Sequence, residues 1–391
     1  MSPADPVSAI PRTSSEALSL VDPPVASTST SPRSSRPPRP LTDAPRAASL
    51  SSDPPAETSD QARPASKRSR KARIPLTGTP AEILARNRTA APAFHVDKTV
   101  RLAGKHWNDF YRNHSAVPFF KDRHWVDREW ALGDKIGGDD GKGKGKAVLE
   151  TGCGTGAFIY PLLEIYPQAK FVGFDFAAKA VELTKGHATY DPAKVHIFQH
   201  DLTEPPTAPS LWARFDDVPT EFGVPIHEFD IVSHIFVLSA LAPRNHAKAV
   251  KTLIGLLAPG GTLVFRDYAL HDEAQLRFHA LPSASYATVP ALLSEQTDPP
   301  PTRDGNEPSS SLSTGPIATN ETNRPWYKRG DQTMTYFFTA EEVQSLVDDA
   351  CRTLGCRVEG SVEVVERRME NRAQEWECTR RFVHGSWTRV A

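Results

Sequence analysis

The sequence predicts a doubly wound α/β domain with a mostly parallel sheet, a C-terminal antiparallel hairpin and a disordered N-terminal tail. After residue 146, short apolar segments alternate with segments of helical periodicity, which is typical of a parallel sheet covered by helices on both faces. From residue 357 onward polar and apolar residues alternate, which favours two antiparallel strands. Aromatic residues begin only at Phe94, so the core is expected beyond that point.

The N-terminal part divides by composition. Residues 1–92 are rich in Pro, Ser, Ala and Thr, and without aromatic side chains we expect them to form a disordered tail. A basic cluster at 67–73 in this tail favours nuclear import or contact with phosphates, or is simply a solvated charged run. Residues 93–136 are expected to form an aromatic and basic lid segment, followed by a Gly/Lys linker up to residue 146.

Five strands are predicted by short runs rich in apolar residues, at 147–150, 170–174, 195–199, 229–238 and 262–266. Helices are predicted between them at 158–165, 177–186 and 246–257. Pro, Ser and Thr dominate again at about 283–323, which predicts a flexible insertion in a surface loop. Thr339 and Glu342 then form a capping box that opens a further helix, and Gly355 closes it. The terminal hairpin is predicted at 357–368 and 377–388.

Composition narrows the class of protein. The formal net charge of −1 excludes a protein whose whole surface is basic and binds nucleic acid. The four cysteines lack the spacing of metal ligands, so neither a disulfide scaffold nor a metal site is expected. No apolar run approaches the roughly 18 residues of a membrane span. We therefore expect a cytoplasmic protein, with a share in the nucleus if the basic cluster acts as an import signal.

The loop after the first predicted strand is the first candidate binding site. Glu150 is followed by Gly152, Gly154 and Gly156, whose alternation lets the backbone turn tightly and approach a ligand closely. The spacing differs from that of dinucleotide-binding loops and of phosphate-binding P-loops. A carboxylate before the loop suits a cationic group such as an amine, although the loop alone could be a structural turn.

Two aspartates at the next strand ends complete this pattern. Asp175 follows the second strand, where a carboxylate can accept hydrogen bonds from a ribose diol. Asp201 follows the third strand, where it can accept from an adenine amine while Leu202 packs on the ring. Either aspartate alone is typical of a cap or turn. Together the three features predict a site for S-adenosylmethionine and hence methyl transfer.

Several segments resemble the tRNA 3-methylcytidine methyltransferases, a family within the class I S-adenosylmethionine-dependent methyltransferases. The resemblance runs from about residue 100 to the C-terminus, excluding the insertion. It implies that 147–391, after the lid segment and the linker, is the methyltransferase domain. By the family pattern, Trp107, Tyr111 and Ile235 would complete the cofactor pocket with Gly152, Gly154, Asp175, Asp201 and Leu202. The segments that carry the resemblance read KHWNDFY (105–111), FFKDRHW (119–125), IFVLSA (235–240), FRDY (265–268), LRF (276–278) and YKRGD (327–331).

The resemblance implies methylation of N3 of a cytidine at position 32 in the tRNA anticodon loop, typically of threonine or serine tRNAs. It leaves open whether an aminoacyl-tRNA synthetase acts as a helper. Asp267, after the fifth strand, is the candidate catalytic carboxylate that would stabilise the developing positive charge, or else a partner for Arg266. Residues expected to contact RNA are Lys121, Arg123, His124, Arg266, Arg277 and Arg329.

Two alternatives remain open from the sequence. The chain could be a class I methyltransferase for a small molecule or a protein, although the mixture of basic and aromatic residues in 105–125 favours RNA. It could also be a catalytically silent tRNA-binding scaffold, although the intact glycine loop with both aspartates argues against this.

Overall fold

The computed structural model describes residues 76–86, 93–115, 119–204, 211–215, 222, 228–280, 286–287, 325–371 and 376–390. The helices of this part are α1 Pro80–Arg86, α2 Ala93–Arg101, α3 Ala103–Asn113, α4 Val126–Trp130, α5 Gly133–Ile136, α6 Ile159–Ile165, α7 Ala178–Lys185, α8 Leu211–Phe215, α9 His246–Gly255, α10 Glu273–Ala280 and α11 Ala340–Leu354. The strands are β1 Ala147–Thr151, β2 Lys170–Asp175, β3 Val195–Gln199, β4 Phe229–Ile235, β5 Leu257–Tyr268, β6 Tyr286–Ala287, β7 Trp326–Lys328, β8 Met334–Thr335, β9 Val358–Asn371 and β10 Trp376–Arg389.

The main sheet has seven strands in the order β3-β2-β1-β4-β5-β10-β9. Strands β1 to β5 are parallel, whereas β10 is antiparallel to both β5 and β9. The predicted doubly wound sheet and terminal hairpin are therefore confirmed. The strand order reverses between β1 and β4, and such a switch point opens a crevice at the carboxyl ends of the strands. Because β10 is antiparallel, its first residues and the end of β9 lie at that same edge.

The core lies on both faces of this sheet. Leu149 packs in one buried cluster with Val232 and Phe265, and the adjacent Val148 packs in the other with Ile231. Successive side chains of a strand point to opposite faces, so two buried clusters require helices on both sides. Helices α9 and α11 supply Leu253 and Val347 to the first cluster, and α4 and α6 supply Trp130 and Ile159 to the second; each of these four side chains is buried.

Two element ends differ from the predictions. Strand β4 ends at Ile235 rather than residue 238, because Phe236 has a φ of 61° and turns the chain out of the sheet. Strand β5 begins at Leu257, so that the Pro259-Gly260-Gly261 segment lies inside the strand and the preceding helix ends at Gly255. Within the insertion predicted at about 283–323, β6 pairs with β7, and its other residues lie outside the described part of the chain.

Two segments predicted as flexible are ordered. Helix α1 lies within the predicted tail, where Thr79 and Glu82 cap its start reciprocally and Ile83 is buried. The prediction of a disordered tail over all of 1–92 is therefore wrong at this helix. The linker before β1 is also folded: Gly143 has a φ of 80°, its amide donates to the Gly137 carbonyl, and a Cβ there would lie 2.8 Å from that of Ala169.

Candidate cofactor and substrate site

The glycine loop after β1 lines the crevice with bare backbone. Gly152 and Gly154 have φ values of 61° and 56°, which glycine adopts without the strain of a side chain. A Cβ on Gly152 would lie 2.6 Å from Val237, and one on Gly154 would lie 2.9 Å from the Tyr111 hydroxyl. The loop therefore requires glycine at both positions.

Asp175, at the end of β2, lies directly behind this loop. Its Oδ2 accepts from the Gly154 amide at 3.0 Å and its Oδ1 from the Ala177 amide at 2.9 Å. Burial raises the pKa of this carboxyl to about 6, against the effect of both amides. Each oxygen keeps a further lone pair, so the carboxylate can fix the loop and still accept from a diol.

The remaining predicted cofactor residues lie at neighbouring strand ends. Asp201 accepts from the Thr203 amide at 2.8 Å and from its hydroxyl at 2.7 Å through Oδ1, which is the turn role that a lone aspartate commonly has. Leu202 and Ile235 are both buried, after β3 and at the end of β4. Together with Asp175, these predicted cofactor residues thus lie at the carboxyl ends of β2, β3 and β4, which belong to one edge of the sheet.

Helix α3 covers the glycine loop with aromatic side chains. Trp107 and Tyr111 are one turn apart, with ring centroids 5.9 Å apart, and Tyr111 is buried against Gly154. Phe110 and Phe119 pack edge to face at 5.2 Å beside them. The ring of Phe119 packs against the small core of this segment, and its action as a lid stays a prediction.

Arg123 lies inside the crevice, paired with the carboxylate that precedes the glycine loop. Its Nη1 lies 3.2 Å from Glu150 Oε1, and the two side chains are 12% and 2% exposed. The Arg123 amide donates to the Ala157 carbonyl at 2.7 Å, which anchors this part of the lid to the end of the loop. Arg123 is thus partly buried beside Glu150, and its contact with a phosphate stays a prediction.

Arg266 is also buried, on the face of β5 opposite to Asp267. Its side chain is 4% exposed, pairs with Glu129 of α4, and lies between the rings of Trp125 and Phe382 at 4.7 and 4.9 Å. The predicted RNA contact of Arg266 is wrong, because a phosphate cannot reach a guanidinium enclosed by two rings. Arg266 does not pair with Asp267 either.

Asp267 is fully buried, and its carboxylate accepts hydrogen bonds from two backbone amides. Its Oδ2 accepts from the Ser239 amide and its Oδ1 from the Tyr268 amide, both at 2.8 Å. Burial raises the pKa of the Asp267 carboxyl to about 6. The observed hydrogen bonds fix the turn after β4 against the end of β5, and direct action of Asp267 on a substrate stays a prediction.

The other predicted RNA contacts lie nearer the surface. Lys121 and His124 are exposed on the lid. Arg277 pairs with Glu273 on α10, with its Nε at 2.9 Å from Oε1. The Arg329 guanidinium lies 5.4 Å from the centroid of the Tyr268 ring. Their contact with RNA stays a prediction.

Sequence reasoning missed an aromatic ledge formed by Phe236 and Tyr268, which follow β4 and end β5. Both rings are partly exposed, and their centroids lie 5.0 Å apart. Phe236 keeps its φ of 61° while its amide donates to the Arg266 carbonyl at 2.7 Å. A bulky residue with positive φ is strained, and such strain clusters at functional sites. The sequence signal that could have revealed this ledge is an aromatic residue at the end of each of two neighbouring strands.

The crevice fits S-adenosylmethionine. Glu150 Oε2 is buried without a hydrogen-bond partner in the described part of the chain, so it can accept from an ammonium group. Gly152, Gly154, Asp175, Asp201 and Leu202 are placed to hold the nucleoside, with Trp107, Tyr111 and Ile235 beside them.

Among the described residues, no group of three or more His, Cys, Asp or Glu could hold a metal ion, and no helix is long and apolar enough to cross a bilayer.

Comparisons of the sequence with known proteins agree on one type of domain. A family model described as "Methyltransferase domain" matches residues 149–263. The chain is 29% identical over 301 residues to "tRNA N(3)-methylcytidine methyltransferase trm141" of Schizosaccharomyces pombe, covering 76% of this chain and 96% of that protein. It is 37% identical over 206 residues to "tRNA N(3)-cytidine methyltransferase METTL6" of Pongo abelii, covering 52% of this chain and 67% of that protein. A solved S-adenosylmethionine-dependent methyltransferase from Anabaena variabilis aligns with a TM-score of 0.42 at 10% identity, over 73% of this chain and 94% of that one.

Proposed function

The chain belongs to the tRNA N(3)-cytidine methyltransferase family and is an S-adenosylmethionine-dependent enzyme, and from that premise we propose that its target is the cytidine at position 32 in the anticodon loop of threonine and serine tRNAs. The observation that carries the proposal is the aromatic ledge of Phe236 and Tyr268 beside the glycine loop. We extend the proposal to a cytoplasmic enzyme with a nuclear share that uses an aminoacyl-tRNA synthetase as helper; the support for this extension is the sequence alone.

The chemistry requires a base that has left its stack. N3 lies on the Watson–Crick edge of cytosine, so the ring must be unpaired and turned outward before a methyl group can reach it. Anticodon loops present bases in that form. Both rings of the ledge are partly exposed, so an extruded pyrimidine can stack beside them. Stacking on an aromatic side chain contributes about 1–3 kcal/mol per base.

The enzyme's own groups then act by positioning. The N3 lone pair is unprotonated at neutral pH, so no general base has to remove a proton from it. S-adenosylmethionine, when bound, supplies an electrophilic methyl group on a sulfonium. The glycine loop and Asp175 hold the donor side, and the ledge holds the base. Asp267 fixes the Ser239 and Tyr268 amides, so it keeps the ledge in place.

Replacing Phe236 with glycine should remove one of the two rings of the ledge without straining the backbone, since glycine takes a φ of 61° freely. We expect kcat/KM for an anticodon stem-loop to fall by roughly 5- to 150-fold, which corresponds to the loss of one stacking contact. Affinity for S-adenosylhomocysteine should stay the same. Steady-state kinetics and calorimetry measure the two quantities.

The Phe236→Tyr variant is the matched control, because it keeps a ring at the same backbone position and should retain most of the activity. Equal kcat/KM for the glycine variant and the wild-type enzyme would contradict the role of the ledge.

Cofactor affinity should rise with pH. Burial raises the pKa of Glu150 to about 8 and that of Asp175 to about 6. Only the ionised carboxylates accept from the amine and the diol, so binding favours deprotonation and tightens as pH rises. Arg123 opposes the shift of Glu150, and the raised pKa values of Tyr111 and Cys153 keep both neutral in this range. Calorimetry with S-adenosylhomocysteine between about pH 5.5 and 7.5 measures the trend; a constant Kd would contradict it.

The proposed function is tested by nucleoside mass spectrometry. Unmodified threonine and serine tRNAs are incubated with the protein and a labelled methyl donor, with and without the matching synthetase. We expect labelled 3-methylcytidine, and none from a tRNA with uridine at position 32. Label at another nucleoside, or 3-methylcytidine that persists in the uridine-substituted tRNA, would contradict the assigned target.

A further inference from the structure

We propose that Thr151 and His234 form a side-chain latch between the ends of β1 and β4, which sets the distance from the glycine loop to the aromatic ledge. The two residues act through the segments that follow these strands, so they are positioning residues for methyl transfer. Because the proposed function assigns the ledge of Phe236 and Tyr268 to the target cytosine, the role of the latch in the reaction rests on that function.

The backbone pairing between β1 and β4 stops before the glycine loop begins. Glu150 and Ser233 are the last paired residues of these two strands. Thr151 remains paired with β2, and Ile235 remains paired with β5. The next residues along the two strands are Thr151 and His234, at the switch point where the strands part and the crevice opens. Any connection between the strands at this level must therefore come from side chains.

Two hydrogen bonds of the Thr151 hydroxyl supply that connection. The hydroxyl donates to the Ser233 carbonyl at 3.0 Å and lies 2.6 Å from Nδ1 of His234. Because a threonine hydroxyl has a single hydrogen, it accepts from a protonated Nδ1. All three residues are fully buried. Burial, with a smaller effect of His246, lowers the pKa of His234 to about 3, so the ring is neutral at neutral pH.

The other nitrogen of the His234 ring shows that packing does not explain the histidine. Nε2 is buried without a hydrogen-bond partner in the described part of the chain, and such an atom destabilises a fold. The ring stacks on Phe265 with centroids 6.0 Å apart and 22° between the ring planes, a contact that a phenylalanine could make as well. The feature that only the histidine supplies here is the Nδ1 donor to Thr151.

The two strands that the latch joins lead to the two sides of the proposed reaction. Thr151 immediately precedes Gly152 of the glycine loop, and His234 lies two residues before Phe236 of the ledge. Beyond the latch the two segments approach closely, since a Cβ on Gly152 would lie 2.6 Å from the Val237 side chain. The separation of the strands therefore sets the distance between methyl donor and cytosine. An error of about 1 Å in such a distance can slow a reaction by about 100-fold.

Thr151→Val removes the hydroxyl at nearly constant volume and tests the latch. We expect the single-turnover rate constant for 3-methylcytidine formation in unmodified tRNA to fall by about 10- to 100-fold. The Kd values for tRNA and for S-adenosylhomocysteine should each change by less than about 2-fold, because neither ligand loses a contact. Thr151→Ser keeps the hydroxyl and should recover most of the rate. Thr353→Val, at an exposed position of α11, is the matched control and should leave the rate unchanged.

The partner residue is tested by a double-mutant cycle. His234→Phe should also slow methyl transfer, and the Thr151→Val, His234→Phe double variant should be no slower than Thr151→Val alone. The double variant replaces both partners with apolar groups of similar shape, so it must show the same slow rate even if a single variant unfolds. A wild-type rate in the double variant, or a loss seen only as weaker binding of S-adenosylhomocysteine, overturns the latch. That result in an active enzyme leaves the proposed function intact, whereas a wild-type protein that forms no 3-methylcytidine overturns both.

Discussion

Replacing Glu129 with alanine is expected to lower the free energy of unfolding by about 3–5 kcal/mol, the largest single effect that the structure predicts. Glu129 is the carboxylate partner of Arg266, whose guanidinium is 4% exposed. Arg367 lies 3.1 Å from the same carboxylate and His384 lies 3.8 Å from it. Without Glu129, the buried guanidinium of Arg266 loses the carboxylate with which it pairs, and its Nε already has no hydrogen-bond partner among the described residues. Chemical denaturation measures the loss.

The double variant Glu129→Gln, Arg266→Met separates charge from packing. Replacing both members of a buried pair with uncharged groups of similar volume is often neutral, so most of the stability should return. Glu164→Ala, at an exposed position of α6, is the control and should change stability by less than about 0.5 kcal/mol. A Glu129→Ala protein as stable as the wild type would show that Arg266 finds another partner or water.

The second large effect is expected at Asp175. Asp175→Ala removes the acceptor of the Gly154 and Ala177 amides and the proposed acceptor of the ribose diol. We expect affinity for S-adenosylhomocysteine to fall by about 1–3 kcal/mol, or roughly 5- to 150-fold, for the lost charge-assisted hydrogen bonds. The two buried amides left without acceptors should lower the melting temperature as well. Calorimetry and thermal unfolding measure the two effects.

Asp191→Ala is the matched control for this substitution, because Asp191 precedes the neighbouring strand and is 44% exposed. Its cofactor affinity should equal that of the wild-type protein. Unchanged affinity in the Asp175 variant would contradict the assignment of the second strand end to the nucleoside.

The sheet could be predicted from the sequence because its signals are local. Strands β1, β2 and β4 are short runs buried on both faces, and the glycines of the loop are required by the chain's own backbone angles at Gly152 and Gly154. Both ends of the helix from Ala340 could be predicted, because the residues that cap them are neighbours in sequence. The Thr339 side chain accepts from the Glu342 amide at the first end, and Gly355 takes the left-handed conformation that ends the helix. These features need no knowledge of the rest of the fold.

The roles of the arginines could not be predicted in this way. Arg123 and Arg266 are in basic and aromatic segments that are typical of RNA-binding surfaces, and only the folding of the lid against the sheet turns both side chains inward. Their partners are distant in sequence: Glu150 lies 27 residues from Arg123, and Glu129 lies 137 residues from Arg266. Burial of a charge depends on such long-range contacts, so composition alone could not show that either guanidinium pairs with a carboxylate.

Helix α1 was missed for a different reason. Its capping box of Thr79 and Glu82, with Pro80 at the first helical position, was present in the sequence. The surrounding Pro- and Ser-rich composition outweighed this local signal. Composition also does not reveal that Ile83 of this helix is buried, because burial depends on the rest of the fold.

The wall of the crevice joins distant parts of the chain. Trp130 of the lid donates through Nε1 to the Gly385 carbonyl of β10, across a separation of 255 residues. A ribosome must therefore deliver almost the entire domain before the early helices find their final neighbour, and contacts of such long range form slowly. Until that strand emerges, Arg266 would carry its charge without the ring of Phe382. A chain that ends before β10 should therefore lose both this hydrogen bond and the Phe382 ring beside Arg266.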